Sequence, residues 1–353
     1  MEIGIPREIK ILEGRVALTP MAVKELTGRG HRVYIEKEAG LLSGYPDSDY
    51  ITAGANLCDS AKDVFKQAKL IVKVKEPQAP ELDLLRDDHI LFSYLHLAAA
   101  PELTQALVKI GLTAVAFETV TDGRKLPLLA PMSDIAGRIS VQIGTHLLHQ
   151  PQGGRGILLG GGGTAATEKG QVVILGGGTA GTGAAQVASA LGANVLIFDP
   201  NEDKQAHLQA MGANITAQSP SNEAIASAVK KADLLIGAVL IPGAKAPHLV
   251  SAEQVKSMKA GSVVIDISVD QGGCIETTRP TTYENPTFVW EEVTHFGVTN
   301  MPGAVPRTAT QALSEVLLPY IFELCEHPDW QENKGLQSGV NVQNGQIILP
   351  TLR

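Results

Sequence analysis

Val172-Val173-Ile174-Leu175-Gly176-Gly177-Gly178-Thr179-Ala180-Gly181 is the stretch that decides the fold. Four apolar residues in a row read as a buried strand, and the small residues after Gly181 read as a helix. Between them lies G-x-G-x-x-G in the setting that gives it meaning. Gly176 permits the tight turn, Gly178 lets backbone approach a pyrophosphate, and Gly181 lets helix and strand pack closely. The N–H groups of Thr179 and Ala180 open the helix, where free donors and partial positive charge favour a phosphate. Asp199 ends the next expected strand, 23 residues after Gly176. A carboxylate there can accept hydrogen bonds from both hydroxyls of an adenosine ribose. Lys204 follows in the next expected helix and joins the cofactor candidates. The competing structural explanation is a tight strand–helix turn, with Asp199 capping the next helix.

Outward from this motif the chain alternates short β-rich runs with helical patterns. Strands are expected at Glu2–Ile5, His31–Glu36, Leu70–Lys75, Ile90–Leu97 and Thr113–Glu118, and again at Val172–Leu175, Asn194–Phe198, Leu234–Val239, Ser262–Ile267 and Val298–Asn300. Continuously apolar runs such as Leu70-Ile71-Val72 indicate parallel sheets covered on both faces. The expected fold class is α/β: two doubly wound parallel-sheet domains, the second a Rossmann domain, with the active-site cleft between them. Thr19 with Pro20, and Ser251 with Gln254, mark helix starts. Ser133 reads as the N-cap of a long helix to about Leu148, and a last helix is expected from Thr308 to about Glu326.

Composition narrows the function. The chain has 353 residues, 29 basic and 37 acidic, a net charge of −8, and no basic run. Nucleic acid and anionic membranes are therefore poor partners. Cys58, Cys274 and Cys325 are too few and scattered for a disulfide framework or zinc site, which fits a reducing, cytoplasmic compartment. The N-terminus lacks the pattern of a secretory signal. The apolar run Leu234–Gly243 is about half of the ~20 residues that span a bilayer. His146 and His149 lack a third ligand, so no metal is expected, and Cys274 lacks the context of a nucleophile.

Ligands gather beyond the carboxyl ends of parallel strands. Polar residues there are Lys75, His96 with Tyr94 on the same face, Asp270 and Asn300; Arg15 lies in the loop after the first strand. Arg15 and Lys75 can hold a carboxylate, the first as a bidentate fork and the second as a point charge. His96 can move protons near neutral pH. Asp270 can orient an ammonium or a water. A small keto or amino acid suits this set.

At this point the chain resembles the alanine dehydrogenase family, which includes the nucleotide-binding subunit of proton-pumping transhydrogenase. The resemblance rests on Gly4–Glu8, Glu13–Pro20, Lys73–Pro77, Tyr94–Ala98, Leu128–Ser133, Gly176–Gly181, Val239–Pro247, Asp266–Gly273 and Asn300–Pro302. It implies a discontinuous substrate domain, 1–130 with 306–353, and a Rossmann domain, 131–305. It implies reversible oxidative deamination of L-alanine to pyruvate and ammonia with NAD, in a homo-hexamer. Matched residue by residue, it implies that Arg15 and Lys75 bind substrate, with Tyr94 and Asn300 beside it, and that His96 and Asp270 are the acid–base pair. Ser133, Asp199, Val239, Leu240, Ile267, Asp270, Asn300 and Met301 would line the cofactor. The segment Gly160–Lys169 departs from the family pattern, which leaves the local loop open. Two alternatives stand beside this reading: an NAD(H)-binding module of a transhydrogenase-type assembly, and an amino-acid or opine dehydrogenase with another substrate.

Overall fold

The computed structural model describes residues 1–240, 246–269 and 272–352. The chain forms two compact units, Met1–Met132 with Gly303–Arg353, and Ser133–Pro302. The first half supplies β1 (Glu2–Ile5), β2 (Arg32–Glu36), β3 (Asn56–Cys58), β4 (Leu70–Val72), β5 (Ile90–Ser93) and β6 (Thr113–Ala116). The second unit supplies β7 (Gln171–Leu175), β8 (Asn194–Phe198), β9 (Ile215–Gln218), β10 (Leu234–Gly237), β11 (Val263–Asp266), β12 (Thr287–Trp290) and β13 (Val293–Phe296). The chain then returns to the first unit with β14 (Val340–Gln343) and β15 (Gln346–Ile347).

The first sheet runs β15-β14-β6-β5-β4-β1-β2-β3 and the second β12-β13-β11-β10-β7-β8-β9. Six strands of each sheet are mutually parallel; β14 on β6, β15 on β14 and β12 on β13 are antiparallel edges. Both sheets reverse their strand order once, between β1 and β4 and between β7 and β10. Such switch points open a crevice at the carboxyl ends of the two flanking strands. Arg15 and Lys75 follow β1 and β4; the glycine loop and Val239 follow β7 and β10. Topology thus puts the candidate residues of each unit at its own crevice.

The central strands are apolar along their length because both faces are covered: Leu70, Ile71 and Val72, and Leu234, Leu235 and Ile236, have no exposed surface. Helix starts follow the expected chemistry. The Thr19 hydroxyl accepts from Ala22 N, and Ser251 and Gln254 form a reciprocal capping box before Ala252–Lys256.

Several expected bounds move. The helix expected from Ser133 begins at Ala130, so Ser133 is inside its first turn rather than capping it, and the last helix begins at Pro306. Val298–Asn300 is no strand; Val298 makes an isolated bridge with Thr281. The strand expected to reach Lys75 ends at Val72, and that expected to reach Leu97 ends at Ser93. Lys73 N and Tyr94 N still donate across to Phe92 O and Val74 O, but from Val74 and Leu95 onward side-chain carboxylates take the backbone N–H groups. The unusual Gly160–Lys169 segment is a short closed excursion. Gly170 N donates to Leu159 O at 2.8 Å across its base, and the Thr167 hydroxyl accepts from Gly162 N at 2.7 Å.

Candidate active site

In the first unit the loop after β1 carries Glu8, Glu13 and Arg15, all buried. A buried arginine needs a counter-ion, and Glu13 supplies it. Its carboxylate accepts Arg15 Nε at 2.6 Å, Nη2 at 2.5 Å and the Arg15 backbone N–H at 3.1 Å. Arg15 Nη1 points to Met132 Sδ at 3.2 Å. Burial works against the guanidinium charge, but Glu13 outweighs it and holds the pKa above that of an ordinary arginine. The bidentate edge expected for substrate is therefore occupied by Glu13.

Lys75 is held from behind. Glu8 Oε1 accepts the backbone N–H groups of Val74 at 2.5 Å and Lys75 at 3.3 Å, while Oε2 accepts Lys73 Nζ at 3.2 Å. Lys73, fully buried, also donates to Glu81 at 3.0 Å. Lys73 is thus a structural cation with two partners. Among the described residues the Lys75 ammonium has no hydrogen bond or ion pair. Burial, then the charges of Arg15 and Lys10, push its pKa below that of an ordinary lysine. It is 9% exposed, so this cation is withheld from most water, and the charges of Glu76 and Glu13 offset that only in part.

His96 follows β5 with φ +49°, ψ +39°, a left-handed conformation rare for residues with a side chain. Glu118 holds it there. After β6 the chain curls into a 3₁₀ turn, and the Glu118 carboxylate accepts Leu95 N at 3.2 Å and His96 N at 2.6 Å. The His96 ring stacks on Tyr94, centroids 6.0 Å apart and planes 11° from parallel. Its nitrogens have no hydrogen-bond partner among the described residues. Tyr94 is buried, packs edge-on against Phe117, and donates its hydroxyl to Leu128 O at 2.5 Å. Burial raises its pKa, which Arg15 opposes. Arg15 bears electrostatically on both Lys75 and Tyr94, Tyr94 stacks on His96, and these residues follow the adjacent strands β1, β4 and β5. The Tyr94 hydroxyl serves the fold in this structure.

In the second unit, Gly176 has φ +98°, and a Cβ there would lie 2.6 Å from Ala238 O. A Cβ on Gly181 would fall 1.8 Å from Gly176 O, so the helix Thr179–Ala190 seats directly on the turn. A Cβ on Gly178 would meet nothing within 4 Å, and no side chain caps this helix. The strand-side glycines are filled by protein and the central one faces open space, as a dinucleotide pyrophosphate requires. Asp199, buried, accepts Gly177 N at 2.8 Å and Asn201 N at 2.9 Å, with Lys204 Nζ 3.5 Å away. It braces the glycine loop.

Around the ends of β10 and β11, Val239 O accepts the Ser268 hydroxyl at 2.6 Å and Ile267 N donates to Gly237 O at 2.8 Å. Leu240 is exposed; Ile267 and Asn300 are half-buried. Met301 is buried, and its carbonyl accepts the Tyr283 hydroxyl at 2.8 Å. Thr179 is exposed and Ala180 and Ser133 half-buried. Asp270 lies outside the described residues, as do Ile241–Lys245. Asp266, just before Asp270, accepts Cys274 N, Ile275 N, Ser268 N and the Thr278 hydroxyl. It anchors both stems of that loop, with burial raising its pKa against these bonds. Among the described residues there is no group of three or more His, Cys, Asp or Glu that could hold a metal.

Glu8, Glu13, Glu118 and Asp266 were not among the residues expected from sequence. For Glu13 a signal exists: a carboxylate two residues before an arginine in an otherwise apolar run, Glu13-Gly14-Arg15-Val16-Ala17-Leu18. For the other three, the acceptor role is mainly toward backbone N–H groups, which leaves no pattern in side-chain types.

Comparison with known proteins bears on the family. The family model "Alanine dehydrogenase/PNT, N-terminal domain" matches residues 4–136, and its C-terminal counterpart residues 140–350. The chain is 50% identical to an alanine dehydrogenase of Methanococcus maripaludis, covering 98% of this chain and 94% of that one. It is 49% identical to one of Bacillus subtilis, covering 98% and 92%. A solved L-alanine dehydrogenase superposes with a TM-score of 0.95 at 50% identity, covering 100% and 98% of the two chains. A transhydrogenase from Sinorhizobium meliloti superposes with a TM-score of 0.85 at 27% identity, covering 99% of each. With matched models over both halves and half of its residues shared with full-length relatives, the chain belongs to the alanine dehydrogenase/PNT family.

Proposed function

We propose that the protein is an NAD-dependent L-alanine dehydrogenase, interconverting L-alanine with pyruvate and ammonia. The observation that carries this reading is the buried ammonium of Lys75, without a hydrogen bond or ion pair among the described residues, at the same sheet edge as Arg15 and His96. A cation withheld from water without a partner suits an anionic ligand, and a proton-transfer group lies close by. Residues 1–130 with 306–353 bind substrate, and residues 131–305 bind NAD. The transhydrogenase-type reading has less support, since a nucleotide module has no use for this carboxylate site.

The substrate carboxylate rests on Lys75 and on the guanidinium of Arg15 opposite Glu13. Tyr94 keeps the His96 ring flat against its own, with Asn300 completing the substrate surroundings. Bound NAD supplies the hydride acceptor. Gly176, Gly178, Thr179, Ala180 and Gly181 receive its pyrophosphate; Asp199 and Lys204 receive the ribose; Ser133, Val239, Leu240, Ile267, Asn300 and Met301 line the remainder. During deamination, His96 takes a proton from the water that adds to the imine carbon. It returns that proton to the carbinolamine nitrogen, then takes the hydroxyl proton as the C=O bond forms, the C–N bond breaks and ammonia leaves; Asp270 orients the ammonium. The protein acts in the cytoplasm as a homo-hexamer, a state that light scattering on the purified protein would test. Its three cysteines are free, and among the described residues no helix is long and apolar enough to cross a membrane.

The test of the function is NAD reduction by purified protein across a panel of amino acids. L-Alanine should give the highest kcat/KM. NADH binding with no turnover of any amino acid would overturn the enzyme reading, and a different best substrate would overturn the substrate assignment.

Cofactor choice follows from Asp199. A 2′-phosphate beside a buried carboxylate is repelled, so NAD should be preferred over NADP. Asp199→Ala should cut kcat/KM with NAD by at least ~10-fold, since charge-assisted hydrogen bonds contribute about 1.5–3 kcal/mol. NADP should lose less, because Lys204 then faces the phosphate without its carboxylate partner. Equal kcat/KM for the two cofactors in the unaltered protein would remove Asp199 from the ribose.

A further inference from the structure

Arg15 and Glu13 are separated by one glycine and buried together, with side chains 2% and 0% exposed. Glu13 takes both donors of the Nε–Nη2 edge, the edge that best matches a carboxylate, and also the Arg15 backbone N–H. That third bond fixes the backbone from which the arginine springs. The Nε–Nη2 edge is thereby closed to a ligand, and the direction in which the guanidinium faces is set. Glu13 offsets part of the Arg15 charge, so Lys75 is the main attracting cation and Arg15 the group that orients.

We propose that Glu13 is the positioning residue for Arg15, fixing which edge of the guanidinium receives the substrate carboxylate. This rests on the substrate role of Arg15 given above. In Glu13→Gln one amide group faces a donor instead of accepting from it. One of the two parallel bonds is lost and the guanidinium is free to turn. Orientation is then lost from ground state and transition state alike, which raises KM more than it lowers kcat.

The experiment measures kcat and KM for pyruvate in the intact enzyme, with saturating NADH and ammonium, in Glu13→Gln, Glu13→Asp, Arg15→Met and the Glu13→Gln/Arg15→Met pair. Glu13→Gln should raise KM about 10- to 100-fold, with kcat within about fivefold and NADH affinity within about twofold. Glu13→Asp, which keeps the charge, should recover part of the loss. In the Arg15→Met background, adding Glu13→Gln should change KM by less than about twofold, since the residue it positions is gone. If the two effects multiply, or if Glu13→Gln leaves KM unchanged, Glu13 does not act through Arg15 and the proposal is overturned. Loss of NADH binding in both Glu13 variants would make Glu13 a folding residue and overturn it equally. An unchanged KM in Arg15→Met is a separate result: it removes the carboxylate role of Arg15 itself.

Discussion

His96→Ala is expected to lose at least ~100-fold in kcat in both directions, with the fold and NADH affinity little changed. A positioned general acid–base contributes about 10²–10⁴-fold, and the geometry around His96 serves position rather than packing. Its ring is half-buried, lies flat on Tyr94 and has no hydrogen-bond partner among the described residues. The backbone is the part that is fixed, through the Glu118 carboxylate and a left-handed conformation that a side chain makes costly. Truncation at Cβ leaves that backbone arrangement intact, so the loss should fall on chemistry. Steady-state rates for alanine oxidation and pyruvate amination, alongside NADH titration, make the check. Activity within about fivefold of the parent would return His96 to a packing role and leave the proton transfers to Asp270 or water.

Lys75→Ala should nearly abolish turnover while NADH still binds. Loss of one charge-assisted hydrogen bond costs roughly 10- to 150-fold, and a larger loss would indicate that Lys75 also polarises the substrate carbonyl. A change under about threefold would remove Lys75 from the substrate site and leave it a buried structural lysine. The pH dependence has a definite sign. Burial, Arg15 and Lys10 lower the Lys75 pKa, and a substrate carboxylate favours the ammonium. Pyruvate affinity is then full below that lowered pKa and falls as pH rises through it, earlier than for an ordinary lysine near 10.4. Stability runs the other way. A lysine with a depressed folded pKa disfavours folding while both states are protonated, and the penalty lifts as pH climbs from the folded pKa to the unfolded one. Lys75→Met should therefore raise Tm at neutral pH, by about 2–4 °C for each kcal/mol relieved, while removing activity. A lower Tm would show that the ammonium is already compensated.

The strand–turn–helix at Gly176 was legible because ten contiguous residues determine it: an apolar run, glycines at fixed offsets and small residues beyond. The same holds for the parallel α/β class, read from strands apolar on both faces, and for family membership, carried by motifs spread over both halves. Arg15, Lys75 and His96 were legible as chemistry at strand ends, although the strands stop earlier than expected. What orients them was decided only by tertiary structure. Glu8 grips the backbone at Val74 and Lys75, 66 and 67 residues away, and Glu118 the backbone at His96, 22 residues away. The pairing of β14 with β6 joins segments more than 200 residues apart. Local sequence fixes backbone propensity and side-chain type. Buried carboxylates, by contrast, choose their partners among whatever N–H groups and cations the folded topology leaves unpaired and dry, and the strand order alone puts β1 beside β4 and so brings Glu8 to Lys75.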